Sequence, residues 1–235
     1  MNSAKKQARV AGLLYLLASI IGCFGLIYIP GKLIVTGDAT ATATHIRASE
    51  TLFRLGIASE LIAFIMFIFV VLALYRLFKG VSEEHALAMA VLLLVSIPIS
   101  LLNVLNEIAA LVLVSGAKFL SVFETRQLDA LAYVFVRLHG QGFVVAQIFW
   151  GLWLFPFGIL VIRSGFIPRV LGFLLFIAGF GYVASSFTSL LPYAPFVDRF
   201  ASVLTLGELP IIFWLLIWGA KDQLVNQPHA DPPIA

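Results

Sequence analysis

Residues 86–114 read ALAMAVLLLVSIPISLLNVLNEIAALVLV, an apolar run interrupted by Ser96, Pro98, Ser100, Asn103, Asn106 and Glu107. Crossing the hydrocarbon core of a bilayer as a helix takes roughly 17–25 mostly apolar residues, and this run is long enough. It lacks the strict two-residue alternation that a membrane strand requires. The carboxyl and amide groups inside it must turn toward other helices or toward water, because lipid offers them no partner. The stretch therefore predicts a spanning helix with a polar inner side.

Five further runs have the same character: Val10–Ile29, Gly56–Leu77, Gly140–Ile162, Val170–Leu190 and Ala201–Ala220. The chain is 61% hydrophobic and 11% charged, with a mean hydropathy of +1.05. Soluble domains run about 45–50% apolar and about 25% charged. The expected fold is all-α: a polytopic bundle of six transmembrane helices over residues 1–220, followed by a polar, disordered tail at 221–235. The third run is long for one span, so it tilts or its last turns emerge into water.

A formal charge of +3 comes from fifteen Lys and Arg scattered along the chain, which excludes a nucleic-acid surface. The bias is better read as orientation in a membrane. Lys5, Lys6 and Arg9 beside the first run, with Arg163 and Arg169 in a short loop, place both termini in the cytoplasm and the protein in the cell's inner membrane. Cys23 is the single cysteine, so neither an internal disulfide nor a cysteine zinc site is available. Ile20-Ile21-Gly22-Cys23 has the look of a lipoprotein processing site, but Phe24–Ile29 continues the apolar run where a polar tether would start. The expectation is a retained helix with Cys23 as an inert buried thiol.

Two connections are longer than a turn. In Pro30–Leu55, Asp38 is placed to cap a short helix. In Ser115–His139, Leu128, Leu131, Phe135 and Leu138 share one helical face, and Ser121 with Glu124 has capping-box spacing. Both segments read as loop helices, with the membrane surface as one location open to them.

The stretches GDATATATHIRASETLFRLGI (37–57) and FWGLWLFPFGILVIRSGFIPRVLGFLLFIAGFGY (149–182) resemble the bacterial integral membrane family known as domain of unknown function 4386. The likeness extends from ARVAGLLYLL to the last run. It implies a multi-helix membrane protein and supplies no catalytic residue, because the family carries no established activity.

Chemistry has to be read from the intramembrane polar groups. Ser96, Ser100, Asn103 and Glu107 are spaced by four, three and four residues, which makes one stripe on a helix, and Asn106 widens it. Pro98 is expected to kink the helix within the stripe. Glu60 lies early in the second run, His139 and Gln141 open the fourth, Gln147 is two turns deeper, and Glu208 is in the sixth. Pro210 would leave the carbonyl of Leu206 without its usual donor. Counting about 1.5 Å per residue puts Glu60, Glu107 and Glu208 in one layer, roughly 6–11 Å below the outer boundary.

A polar pocket of Glu60, Asn103, Asn106, Glu107, His139, Gln147 and Glu208 in the outer half is therefore expected. Its best-fitting role is to bind a small molecule, an ion or a proton, with transport as an extension. Two alternatives stand beside it. One is an intramembrane enzyme using the carboxylates and His139, although HExxH, GxSxG and paired histidine spacings are all missing, so no metal or catalytic residue is assigned. The other is a non-catalytic accessory or sensor protein. No inverted repeat of the kind found in many carriers is visible. No cofactor and no oligomeric state are indicated. Ala18, Gly22, Gly179, Gly181 and Ser185 read as close-packing positions, and Trp150, Trp153, Trp214 and Trp218 as packing and interface residues.

Overall fold

The computed structural model describes residues 3–189 and 195–220, and the tail at 221–235 lies outside them. Among the described residues all regular structure is helical, and six helical stretches are long and apolar enough to cross a membrane. The first comprises α1 (Ser3–Cys23), a π-helical segment (Phe24–Tyr28) and α2 (Ile29–Leu33). After the short α3 (Ala39–Ala48) come α4 (Glu50–Phe78) and α5 (Glu83–Val114) as the second and third spans. The fourth joins α6 (Thr125–Leu152) to α7 (Leu154–Ser164), and the fifth is α8 (Arg169–Thr188). The last runs from α9 (Pro195–Leu204) through a 3-10 turn (Thr205–Glu208) into α10 (Leu209–Ile217).

The first and last described helices, α1 and α10, pack against each other. Arg9 Nη2 donates to the Ile217 carbonyl over 2.8 Å, satisfying an orphan acceptor at the end of α10. Gly12 lies directly against the backbone of Leu215 and Leu216. The helix passes through Cys23 unbroken, as the apolar continuation requires. Cys23 itself is exposed and not buried, since it sits at the outer side of the first span, where that span turns π-helical.

Lipid tails are as apolar as leucine, so close packing has to hold helices together in a membrane. The glycines supply it between the fourth and fifth spans. A methyl group on Gly158 would come within 2.8 Å of the Gly172 carbonyl oxygen, and one on Gly179 within 2.9 Å of that of Gly151. Gly181 is equally tight against Ala201. Apolar side chains on the other faces point outward, Leu102, Leu105, Phe69 and Phe180 among them. Inside, one cluster around Tyr15, Phe78, Trp153 and Phe157 fills the half nearer the termini. A second, around Ile46, Phe53, Val104 and Val136, fills the opposite half.

The long connections behave unequally. Asp38 does cap α3, accepting from the Ala41 amide at 2.9 Å. The other capping box is displaced: Glu124 is the N-cap and its partner is Gln127, with Ser121 outside it. The helix that follows is the first part of the fourth span and no separate loop helix, so that span begins at Thr125 and not near Gly140. The leucines of its apolar face look away from the bundle. Leu131 and Leu138 are exposed, whereas Asp129, Ala132, Val136 and His139 are buried. In a spanning helix the leucines belong on the lipid side. Arg47 of α3 pairs with Asp129, and the Gly37 amide donates to the Tyr133 hydroxyl at 2.7 Å, so α3 is strapped across α6. Pro98 lies within α5, which continues past it. Pro210 falls in the first turn of α10, where no backbone donor is needed, so the break precedes it as the 3-10 turn.

Candidate functional site

Three spans each bring one titratable side chain to the same point. Glu60 of α4, Glu107 of α5 and His139 of α6 are all buried, Glu60 completely. His139 Nε2 is 3.1 Å from Glu60 Oε2, and its Nδ1 is 3.7 Å from Glu107 Oε1. The imidazole thus stands between two carboxyls, one ring nitrogen facing each. Glu60 is ten residues into α4 and Glu107 seven from the end of α5, which sets the cluster in the half of the bundle away from the termini.

The surroundings fix this geometry. Asn103, one turn before Glu107, donates from Nδ2 to the His139 carbonyl at 2.8 Å. Asn106 Nδ2 in turn donates to the carbonyl and the side-chain oxygen of Asn103, each at 3.1 Å. The stripe on α5 is therefore an inner face as its spacing requires, with Ser96 and Ser100 buried along it. Two glycines make the room. A side chain on Gly142 would collide with the Asn103 carboxamide, and a Cβ on Gly25 would lie 2.5 Å from Glu60 Cγ. Gly25 belongs to the π-helical segment, so the irregular turn of the first span rests on the buried glutamate.

The polar groups are incompletely used. Among the described residues nothing hydrogen-bonds Glu60 Oε1, Glu107 Oε2 or the Ser100 hydroxyl, all of them buried. Buried polar atoms of this kind call for a proton, a water or an ion. One ligand atom each from Glu60, Glu107 and His139 can be chosen so that all lie within 4.8 Å of one another. Neighbouring ligands of a tetrahedral ion with bonds of about 2.1 Å are about 3.4 Å apart, so the three side chains would have to close in by up to about an ångström to hold one.

Glu208 stands outside this group. It is partly buried, with the Tyr15 hydroxyl donating to Oε1 and Tyr182 as a second phenol partner. Glu208 and Gln147 line a separate cavity of about 450 Å³ that all six spans surround. Phe143 belongs to both places: its ring meets His139 edge-on at 4.7 Å between centroids, and it also lines the cavity. Of the seven candidate residues, Glu60, Asn103, Asn106, Glu107 and His139 thus converge, and Gln147 and Glu208 face the neighbouring space. The sequence reading missed Tyr15, Tyr182, Gly25 and Gly142. A lone tyrosine in an apolar run carries no spacing signal, although a glycine at 142 inside the fourth run was a visible hint of close approach.

The model of the family described as Domain of unknown function (DUF4386) matches residues 10–219. The chain belongs to that family. A relative from Archaeoglobus fulgidus, described as an uncharacterized protein, is 36% identical over 85 residues, which is 36% of this chain and 51% of that protein. The matched stretch thus spans about half the length of the relative. No solved structure matches. Membership of DUF4386 and the six apolar helices together make this a multi-pass membrane protein.

Proposed function

We propose that the Glu60–His139–Glu107 cluster is a proton- and cation-binding site, and that the protein binds an ion or small molecule there, with transport as its extension. The observation that carries this is an imidazole held between two buried carboxyls whose remaining oxygens, Glu60 Oε1 and Glu107 Oε2, have no partner among the described residues. Two bare negative charges at this spacing in a dry interior are too costly, so the site takes up positive charge. A proton moving between carboxyl and imidazole is the smallest such charge. We place the site in the outer half of an inner-membrane protein with cytoplasmic termini, on the Lys5, Lys6 and Arg9 cluster.

The chemical make-up of the cluster supports a second reading, in which a divalent metal ion is the charge. Two carboxylates and one imidazole suit zinc or manganese. Such an ion would polarise a bound water, which is the chemistry the enzyme alternative needs.

One comparison tests both. The full chain in lipid nanodiscs is titrated potentiometrically through the neutral range beside the Glu60→Gln/Glu107→Gln double variant, and both are analysed for bound metal. A difference of one proton or more per chain, in metal-free protein, supports the proton site. Stoichiometric metal lost in the variant supports the metal reading. Superimposable titration curves with no metal in either would end the proposal.

A further inference from the structure

We infer that the cavity beside the cluster is a binding site for a lipophilic organic monocation, which enters sideways from the bilayer between the first and last spans. Its walls are aromatic: Phe64, Phe67, Phe143, Trp150, Trp153 and Tyr182 all contribute. Glu208 is the only carboxyl among the described lining residues, and none of those residues is cationic. The hydroxyl of Tyr15 donates to that carboxyl, which offsets part of the cost of holding a carboxylate in a buried place and leaves the rest for a cation to supply. A single negative group among aromatic faces is complementary to a cation with an apolar body, through charge and through the ring quadrupoles. An anion would meet the carboxylate with no counter-charge, and a neutral lipid would leave it uncompensated.

The way in follows from the mouth. Cys23 and Ile27 of the first span and Leu206 and Leu209 of the last all line the cavity and are all exposed. These two spans are clasped at Gly12 and Arg9, and further along both contribute to the cavity lining. The exposed flanks are apolar, so the opening faces lipid tails. A volume of about 450 Å³ falls within the range of about 300–1,000 Å³ usual for small-molecule sites.

Cys23 provides a direct assay, because it is the single thiol of the chain and sits at the mouth. Tetraphenylphosphonium and tetraphenylborate have nearly the same size and shape and opposite charge. The full-length protein in nanodiscs is labelled with N-ethylmaleimide in the presence of each, and their binding is measured by equilibrium dialysis. The expected result is that the phosphonium slows labelling of Cys23 and the borate does not. Glu208→Gln should weaken phosphonium binding by about ten-fold or more, equivalent to about 1.4 kcal/mol, with borate unchanged. Equal protection by both ions, no protection by the phosphonium, or phosphonium binding indifferent to Glu208→Gln would each overturn the inference. The labelling comparison on the unaltered chain decides it even if the variant does not fold.

Discussion

The carboxamide of Asn103 fills the space that a side chain at Gly142 would need, so α5 and α6 touch there through an amide and a bare backbone. The same amide donates to the His139 carbonyl and so fixes the height of the imidazole between its two carboxyls. Gly142→Ala must therefore push Asn103 aside. A loss of about 1–3 kcal/mol is expected from this overpacking, read as a lower unfolding midpoint of the detergent-solubilised protein. The variant should also lose part of the proton exchange assigned to the cluster. An unchanged midpoint would show that the two helices separate freely.

Glu107 distinguishes shape from charge. Glu107→Gln preserves the side chain's outline and removes its ionisable group, so the fold should survive while the titration difference shrinks. Glu107→Leu removes the partner facing His139 Nδ1 and is expected to cost about 1–3 kcal/mol. Equal destabilisation by the two substitutions would mean that the carboxyl serves packing alone.

The strap formed by Arg47 and Asp129 joins a buried carboxylate to a half-exposed guanidinium. Arg47→Met strands the Asp129 charge and should lower stability by about 2 kcal/mol, less than the 3–5 kcal/mol of a fully buried pair because water reaches the arginine. Adding Asp129→Leu to the same chain should recover much of the loss. Thermal unfolding of the single and double variants measures the coupling, and strict additivity would refute it.

Topology is testable by single-cysteine labelling in a chain carrying Cys23→Ser. Asp38→Cys and Glu124→Cys should react with an impermeant reagent added from outside the cell. Glu83→Cys and Ser164→Cys should react only after the membrane is opened. Labelling of Asp38→Cys solely from the cytoplasmic side would reverse the orientation proposed from Lys5, Lys6 and Arg9.

Much of the fold was legible because hydropathy acts along the chain. The runs around Gly56–Leu77 and Ala86–Val114 emerged as α4 and α5, longer by a turn or two where polar residues continue the helix. Hydropathy alone starts the fourth span fifteen residues late, since Asp129 and Arg137 look like loop residues until Arg47 is seen beside one of them. The π-helical segment at Phe24–Tyr28 left no signal in composition; it depends on how Gly25 meets α4. For the site, counting residues gave the height of each glutamate but not its direction around the helix axis. That is why Glu60, Glu107 and His139 meet as their depth suggested, while Glu208 has Tyr15 and Tyr182 for company.

Mechanically, the first span is a lever. It is clamped at Gly12 against α10, and thirteen residues further along it bears on Glu60 through Gly25. That arm is about 20 Å long, so a tilt of about 5° at the clamp moves its far end by nearly 2 Å. One span thus touches both the last span and the buried glutamate through bare backbone, with no side chain of its own at either contact.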